Sequence, residues 1–443
     1  VTQPAPNTAR QIGYASGNFG KAVFLGSLDI TLMFLMTDIF GYAPALAGTI
    51  LFVALIWDAV HDVSVGWLVE RFQFGRYRYG PWIITGAVAS APLFLFLFAL
   101  PILGVDGVTI LITALLALRL AISVADIPHT ALITHVEKDS GKRNNVAIYR
   151  FAFSGVGFLL ISSIIPLITA ADNEMIVFRG FLLLGLIGGS LGGASVLFSW
   201  YVVRTYDERF ELSAAKETPL SLRSLPKLAS RDVLIVLAII LLNPFAIGLF
   251  SKTLIYQATY VMGDGARAAL LLNTLIAGQY VGMIGWLKFS KKFEKARVLQ
   301  LSYALSLVSL VIVYLAAPSS LIITILAVFC LGIGSSAGFT FVWSMLADCM
   351  DSAHHRIKGS VNALGFGFAI MASKAAAGVS ALFIGAALSG AGYIAGVEQS
   401  AEAVTVIRGL NALVPAFFCA LCIIVLRWYN LTYKRHEILT ENS

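Results

Sequence analysis

Apolar residues run through this chain in long blocks, and polar residues gather in short clusters between them. Twelve blocks stand out, with cores at residues 13–40, 45–69, 80–103, 107–134, 147–170, 177–203, 232–262, 267–287, 297–317, 320–346, 358–390 and 404–429. A helix needs about 20 apolar residues to cross the hydrocarbon layer of a bilayer. Lipid offers backbone N–H and C=O groups no partners, so such blocks cross as helices. The pattern predicts an all-α membrane protein of about twelve transmembrane helices.

The polar clusters divide the chain. The longest, "RTYDERFELSAAKETPLSLRSLPKLASRD" at 204–232, lies near the middle. On either side the halves echo each other. "GWLVERFQFGR" starts at Gly66 and "GWLKFSKKFEKAR" at Gly285, 219 residues on; "ADIP" starts at Ala125 and "ADCM" at Ala347, 222 residues on. Two matches at nearly one offset point to a duplicated six-helix unit. Parallel repeats of that kind build transporter folds with the substrate site between the units. The expected division is an N-terminal bundle at 1–205, a cytoplasmic linker at 206–231 and a C-terminal bundle at 232–443.

Composition agrees with the pattern. The chain is 58% hydrophobic and 12% charged, against about 25% charged in soluble domains. Of 31 Lys and Arg, five fall inside blocks, three (Arg179, Arg267, Arg408) on one side, and 23 on the side that holds both termini. Basic residues collect in the cytoplasm, so both termini are expected there and the basic balance is topogenic rather than a nucleic-acid signal. The expected location is a multi-pass place in the cell (inner) membrane. The polar N-terminal stretch shows no cleavable signal pattern. Cys419 and Cys422 form C-x-x-C inside an apolar block and read as packing, as do Cys330 and Cys349. Glycine-rich "LGLIGGSLGGAS" and "GIGSSAG" read as close helix contacts. There is no P-loop for ATP-driven transport and no nucleophile–base constellation for an enzyme. His354 and His355 fall in the loop after the tenth block.

The loop after the second block reads Gly66-x-x-x-Glu70-Arg71-x-x-x-Gly75-Arg76-x-Arg78. It resembles the signature loop of the major facilitator superfamily, with one extra residue before the second glycine. Gly66 would allow close helix approach, Glu70 and Arg71 would latch neighbouring helices, and the arginines would hold the cytoplasmic face as a gate.

Charges inside the apolar blocks carry the functional signal. Intramembrane ionisable groups are expensive and mark ion or substrate paths. Asp58 and Asp62, four apart, share one helix face. Their repulsion favours a bound cation or a proton; structural ion pairs to other helices are the competing reading. His61 lies beside them and titrates near neutral pH.

"WDAVHDVSVGWLVERF", "DIPHTALITHVEKDSGKRNNVAIYRFAFSGVG", "YVMGD" and "WSMLADCMDSAHHRIKGSVNALGFGFAIMASKAAAG" together resemble the glycoside–pentoside–hexuronide:cation symporters, the family of melibiose permease, over essentially the whole chain. The resemblance implies that Asp58 and Asp62 hold the coupling cation, with Na+ there as one option, and that Ser123 assists. It places Asp126, Arg150, Lys21 and Lys374 at the sugar. Ala22 stands where melibiose permease has a sugar-binding aspartate, and Thr130 where it has an aromatic, so galactoside specificity does not carry over. His61 replaces a small polar residue and favours H+ over Na+. Arg119, Lys252 and Trp343 are further candidates for the substrate. Five intramembrane bases (Lys21, Arg119, Arg150, Lys252, Lys374) face four acids (Asp29, Asp58, Asp62, Asp126). That surplus suits an anionic sugar: a hexuronide, a sulfonated sugar or another acidic glycoside. In the alternative, Arg119 pairs with Asp126 and Lys21 or Lys252 with Asp29. The implied activity is cation-coupled symport of a sugar or glycoside by alternating access; a cation-coupled lysolipid transporter of the same architecture is the alternative. No cofactor beyond the coupling ion, and no obligate protein partner beyond membrane lipid, is expected.

Overall fold

The computed structural model describes residues 8–72, 76–136, 140–207, 230–357 and 362–431. Twelve helices are long and apolar enough to cross a membrane: α1 (Thr8–Ile39), α2 (Pro44–Val69), α3 (Gly80–Ala99), α4 (Val108–Ala131), α5 (Val146–Thr169), α6 (Glu174–Tyr206), α7 (Arg231–Val261), α8 (Arg267–Phe289), α9 (Lys295–Ala316), α10 (Leu321–Met350), α11 (Gly365–Gly390) and α12 (Ala401–Leu426). No strand occurs among the described residues. The chain forms two compact units, residues 1–212 and 213–443.

Helix starts follow local chemistry. Asn173, Ser230 and Ser400 accept first-turn N–H bonds at the heads of α6, α7 and α12, and proline sits at the first turn of α2 and α3, where its missing N–H is harmless. Prolines deeper in spans act differently. Pro415 removes the N–H that the Asn411 carbonyl would accept, and the preceding turn, Gly409–Leu413, is widened into a π-helix. Pro244 opens a second such turn, Pro244–Gly248. Proline is not required for such a turn: Leu35–Ile39, Leu184–Gly188 and Gln257–Val261 are widened without one.

In the first unit α1 packs on α5 and α6, α4 packs on α2 and α3, and α3 also meets α6. Close approach requires glycine at two places. A Cβ on Gly20 would lie 2.2 Å from the Gly192 carbonyl oxygen across the α1–α6 contact. In the second unit a Cβ on Gly278 would lie 2.3 Å from the Phe329 carbonyl oxygen, where α8 meets α10. Gly66 is a correction to the sequence reading: a Cβ there would meet nothing within 4 Å, so the described residues show no close helix approach at that glycine.

Two boundaries also move. Tyr206 and Asp207, expected in the linker, are buried parts of the first unit. Asp207 accepts from Tyr79 N (2.8 Å), Gly80 N (2.6 Å) and Trp200 Nε1 (2.9 Å). Its carboxylate therefore caps the α3 N-terminus, where the helix dipole favours negative charge, and ties the loop after α2 to the end of α6. The helix containing α10 continues to Ile357, so His354 and His355 are helical rather than in a loop. Of the expected linker, residues 208–229 lie outside the described residues, as do Gly75 and the side chain of Glu70. Arg71 and Arg76 are exposed, and Arg78 stacks its guanidinium over the Tyr79 ring at 5.1 Å.

Candidate functional site

α4 carries Arg119, Ser123, Asp126 and Thr130 at steps of four, three and four, which places them in one stripe along the helix. α2 presents Asp58, His61 and Asp62. Where the two helices meet, Arg119 Nη1 donates to Asp58 Oδ2 at 2.6 Å, with the two residues 4% and 5% exposed. One turn along, His61 Nε2 lies 3.0 Å from Ser123 Oγ, and Nδ1 lies 2.6 Å from the Trp57 carbonyl oxygen. A carbonyl only accepts, so Nδ1 carries a proton. The Ser123 hydroxyl can donate to a bare Nε2 or accept from a protonated one, so the ring keeps both contacts in either charge state. Asp62 Oδ1 is 3.7 Å from Nε2, and the Asp62 side chain remains 21% accessible.

The lower half of the stripe forms a second cluster with α1 and α5. Asp126 pairs with Lys21. Thr130 Oγ1 donates to Asp126 Oδ1 (3.2 Å) and accepts from Lys21 Nζ (3.2 Å) and Arg150 Nη2 (3.3 Å). One hydroxyl proton and two lone pairs are thus all engaged. Arg150 Nε donates to Asn18 Oδ1 at 3.0 Å, Asn18 Nδ2 donates to Ser154 Oγ, and the Arg150 guanidinium lies 5.9 Å from the Tyr14 ring centroid. Two bases and one carboxylate leave this cluster with one surplus positive charge. The Asp126 side chain is 38% accessible and Arg150 is half-buried, whereas Lys21 is buried, so a ligand can reach the cluster at the carboxylate and the guanidinium.

Beneath it, Tyr14 stacks on His129 with centroids 4.7 Å apart and donates to the His129 carbonyl. His129 Nε2 lies 2.7 Å from Ser199 Oγ. Ser199 donates its proton to the Tyr14 carbonyl, so His129 donates through Nε2. This buried group joins α1, α4 and α6 and fixes Tyr14 under Arg150.

Several sequence expectations change here. Arg119 meets Asp58, not Asp126, so Asp58 makes the inter-helix ion pair that was the competing reading of its role. Lys21 meets Asp126, while Asp29 is exposed. The pairs of Arg119 with Asp126 and of Lys21 with Asp29 are therefore not formed: seven residues separate Arg119 from Asp126, about 10.5 Å along the axis. Lys252, Trp343 and Lys374 belong to the second unit and are half-buried. Lys252 Nζ donates to the Ala377 carbonyl at 3.4 Å, linking α7 to α11. Lys295, ten residues after Gly285 as Arg76 is after Gly66, pairs with Asp348 at 2.6 Å and joins α9 to α10. All four cysteines are free thiols. Asn18, the bridging role of Thr130 and the Tyr14–His129–Ser199 group are not among the sequence expectations. Asn18 was findable, being three residues before Lys21 and so on its face of α1.

Comparison with known proteins adds the following. Residues 13–433 match a family profile described as MFS/sugar transport protein. The chain is 24% identical to the symporter YjmB of Bacillus subtilis (strain 168), covering 100% of this chain and 96% of the relative. It is 24% identical to a glucuronide carrier protein homolog of Escherichia coli (strain K12), covering 97% and 94%. The structure of a mutant of the nucleoside transporter NupG superimposes with a TM-score of 0.65 at 13% identity, covering 94% of this chain and 99% of that one. At that identity the likeness concerns the fold.

Proposed function

Because the chain belongs to the MFS/sugar transport protein family, we propose that it is a cation-coupled symporter of a sugar or glycoside that bears a negative charge. Transport proceeds by alternating access of the two units, with both termini in the cytoplasm. The observation that carries the substrate class is the surplus positive charge at Lys21, Asp126 and Arg150, held together by Thr130 and reachable at the half-buried Arg150. A planar guanidinium is suited to bind a carboxylate or sulfonate through two parallel bonds. Asp126 can accept from sugar hydroxyls on its accessible side. The name of the glucuronide carrier homolog supports the same class.

The coupling ion is a proton in this reading. A guanidinium already rests on Asp58, which disfavours sodium there, and the His61–Ser123 contact accommodates either charge state of the ring. Lys374 and Trp343, in the second unit, keep the substrate roles expected of them.

Equilibrium exchange in proteoliposomes tests the substrate class without involving the coupling ion. Hexuronides should compete for exchange of a labelled hexuronide about tenfold or more better than the matching neutral hexosides. Arg150→Ala and Lys374→Ala should each abolish that preference or binding itself. Equal competition by the neutral sugars, or exchange only of lysophospholipids, would overturn the proposal.

A further inference from the structure

Arg119 is the one arginine or lysine of α4, and its partner lies on α2. Its guanidinium and the Asp58 carboxylate are each at least nine-tenths buried, 2.6 Å apart. The contact is a single bond through Nη1; Arg119 Nε is buried and has no acceptor among the described residues. No second carboxylate stands ready for it on α4, since Asp126 is about two turns along the helix and engaged by Lys21. His61 and Asp62 lie nearby on α2, with Ser123 on α4.

We propose that Arg119 is a tethered counter-cation that occupies the Asp58 position of the coupling site and thereby excludes sodium, so that it sets the ion specificity of the carrier. The inference rests on the symport reading above, in which Asp58 and Asp62 form that site. Sodium binds through several oxygens that share its charge. At Asp58 it would meet a positive group held by its own helix at hydrogen-bond distance from the same carboxylate. Displacing that group is costly, because the guanidinium would give up its bonded carboxylate while still inside the protein. Its tether keeps it at high local concentration, whereas free sodium must compete from solution. Arg119 thus acts through Asp58 and is a specificity-determining residue rather than a sugar ligand. The alternative role, contact with substrate, has no support in the geometry around Asp126, where Lys21 and Arg150 already stand.

The test is equilibrium binding of radioactive sodium to the purified full-length carrier, with folding followed by size-exclusion profile and thermal melting. The unmodified protein should show no saturable sodium site. Arg119→Gln should gain one, with apparent affinity rising about tenfold or more. Arg119→Lys keeps a tethered charge and should stay without the site, which a merely structural role would not require. The double variant Asp58→Asn with Arg119→Gln should lose the gained site. Saturable sodium binding by the unmodified protein that Asp58→Asn removes would overturn the proposal, as would a folded Arg119→Gln that binds no more sodium than its parent. If no Arg119 variant folds, the unmodified protein decides by the same criterion, and absence of a site supports the proposal. Failure of the symport reading is a separate result: it would show as no accumulation of any sugar under any ion gradient, whatever the sodium binding.

Discussion

Thr130 shows how a single residue organises charge inside an apolar helix. Its hydroxyl lies between Asp126, Lys21 and Arg150 and makes one hydrogen bond with each. From the sequence, Thr130 reads only as the loss of an aromatic platform, because a threonine side chain gives no sign of which charges surround it. The charged positions themselves are legible: an ionisable residue among apolar ones is conspicuous, as Lys21, Asp58, Asp126 and Arg150 are. Their pairing was not legible, since it depends on which helices face each other and at what height. Thr130→Val keeps shape and removes the bridge. Hydrogen bonds to charged groups contribute about 1.5–3 kcal/mol when sheltered, and this cluster is partly accessible, so the lower end applies. Hexuronide affinity should fall about tenfold with folding unchanged, as read by direct binding to the purified protein. Unchanged affinity would mean that Lys21 and Arg150 hold their places without the hydroxyl.

The helices were legible as elements because span length is imposed by the bilayer, and twelve apolar blocks gave twelve spans. The widened turns were not. Pro244 and Pro415 are visible in the sequence, but whether a proline kinks a helix or widens it is decided by its neighbours. The place of Asp207 was hidden too: a lone aspartate at the edge of a polar stretch looks like linker, yet it caps α3. Glycines divide in the same way. Gly20 and Gly66 look alike in the sequence, but only Gly20 has a neighbouring backbone where its Cβ would be. Gly20→Val should therefore push α1 away from α6 and destabilise the unit by about 1–3 kcal/mol or more. Gly66→Ala should leave stability unchanged or raise it by up to about 1 kcal/mol, through helix propensity alone. Thermal melting of the two purified variants checks the contrast. Equal melting temperatures would show that the α1–α6 contact yields without loss.

At the scale of the whole molecule the duplication explains both likeness and difference. The two halves repeat at offsets of 219 and 222 residues, and the chain separates into two compact units. Asp126 and Asp348 occupy matching positions in the repeat, yet they have diverged. Asp126 meets Lys21 in the cluster assigned to substrate, whereas Asp348 meets Lys295 between α9 and α10. A duplicated carrier needs only one coupling site, and here α2 and α4 of the first unit hold Asp58, His61, Asp62, Arg119 and Ser123 together. In the proposed mechanism this group couples ion movement to the transport of an acidic sugar. The most direct measurement is uptake of a radiolabelled hexuronide into proteoliposomes with proton and sodium gradients imposed separately, in the unmodified carrier and in Asp58→Asn and Asp62→Asn. Accumulation above equilibrium is expected under an inward proton gradient, none under sodium alone, and none in either variant under any gradient. Accumulation driven by sodium in the unmodified carrier would contradict the assigned ion, and full accumulation in both variants would contradict the coupling site itself.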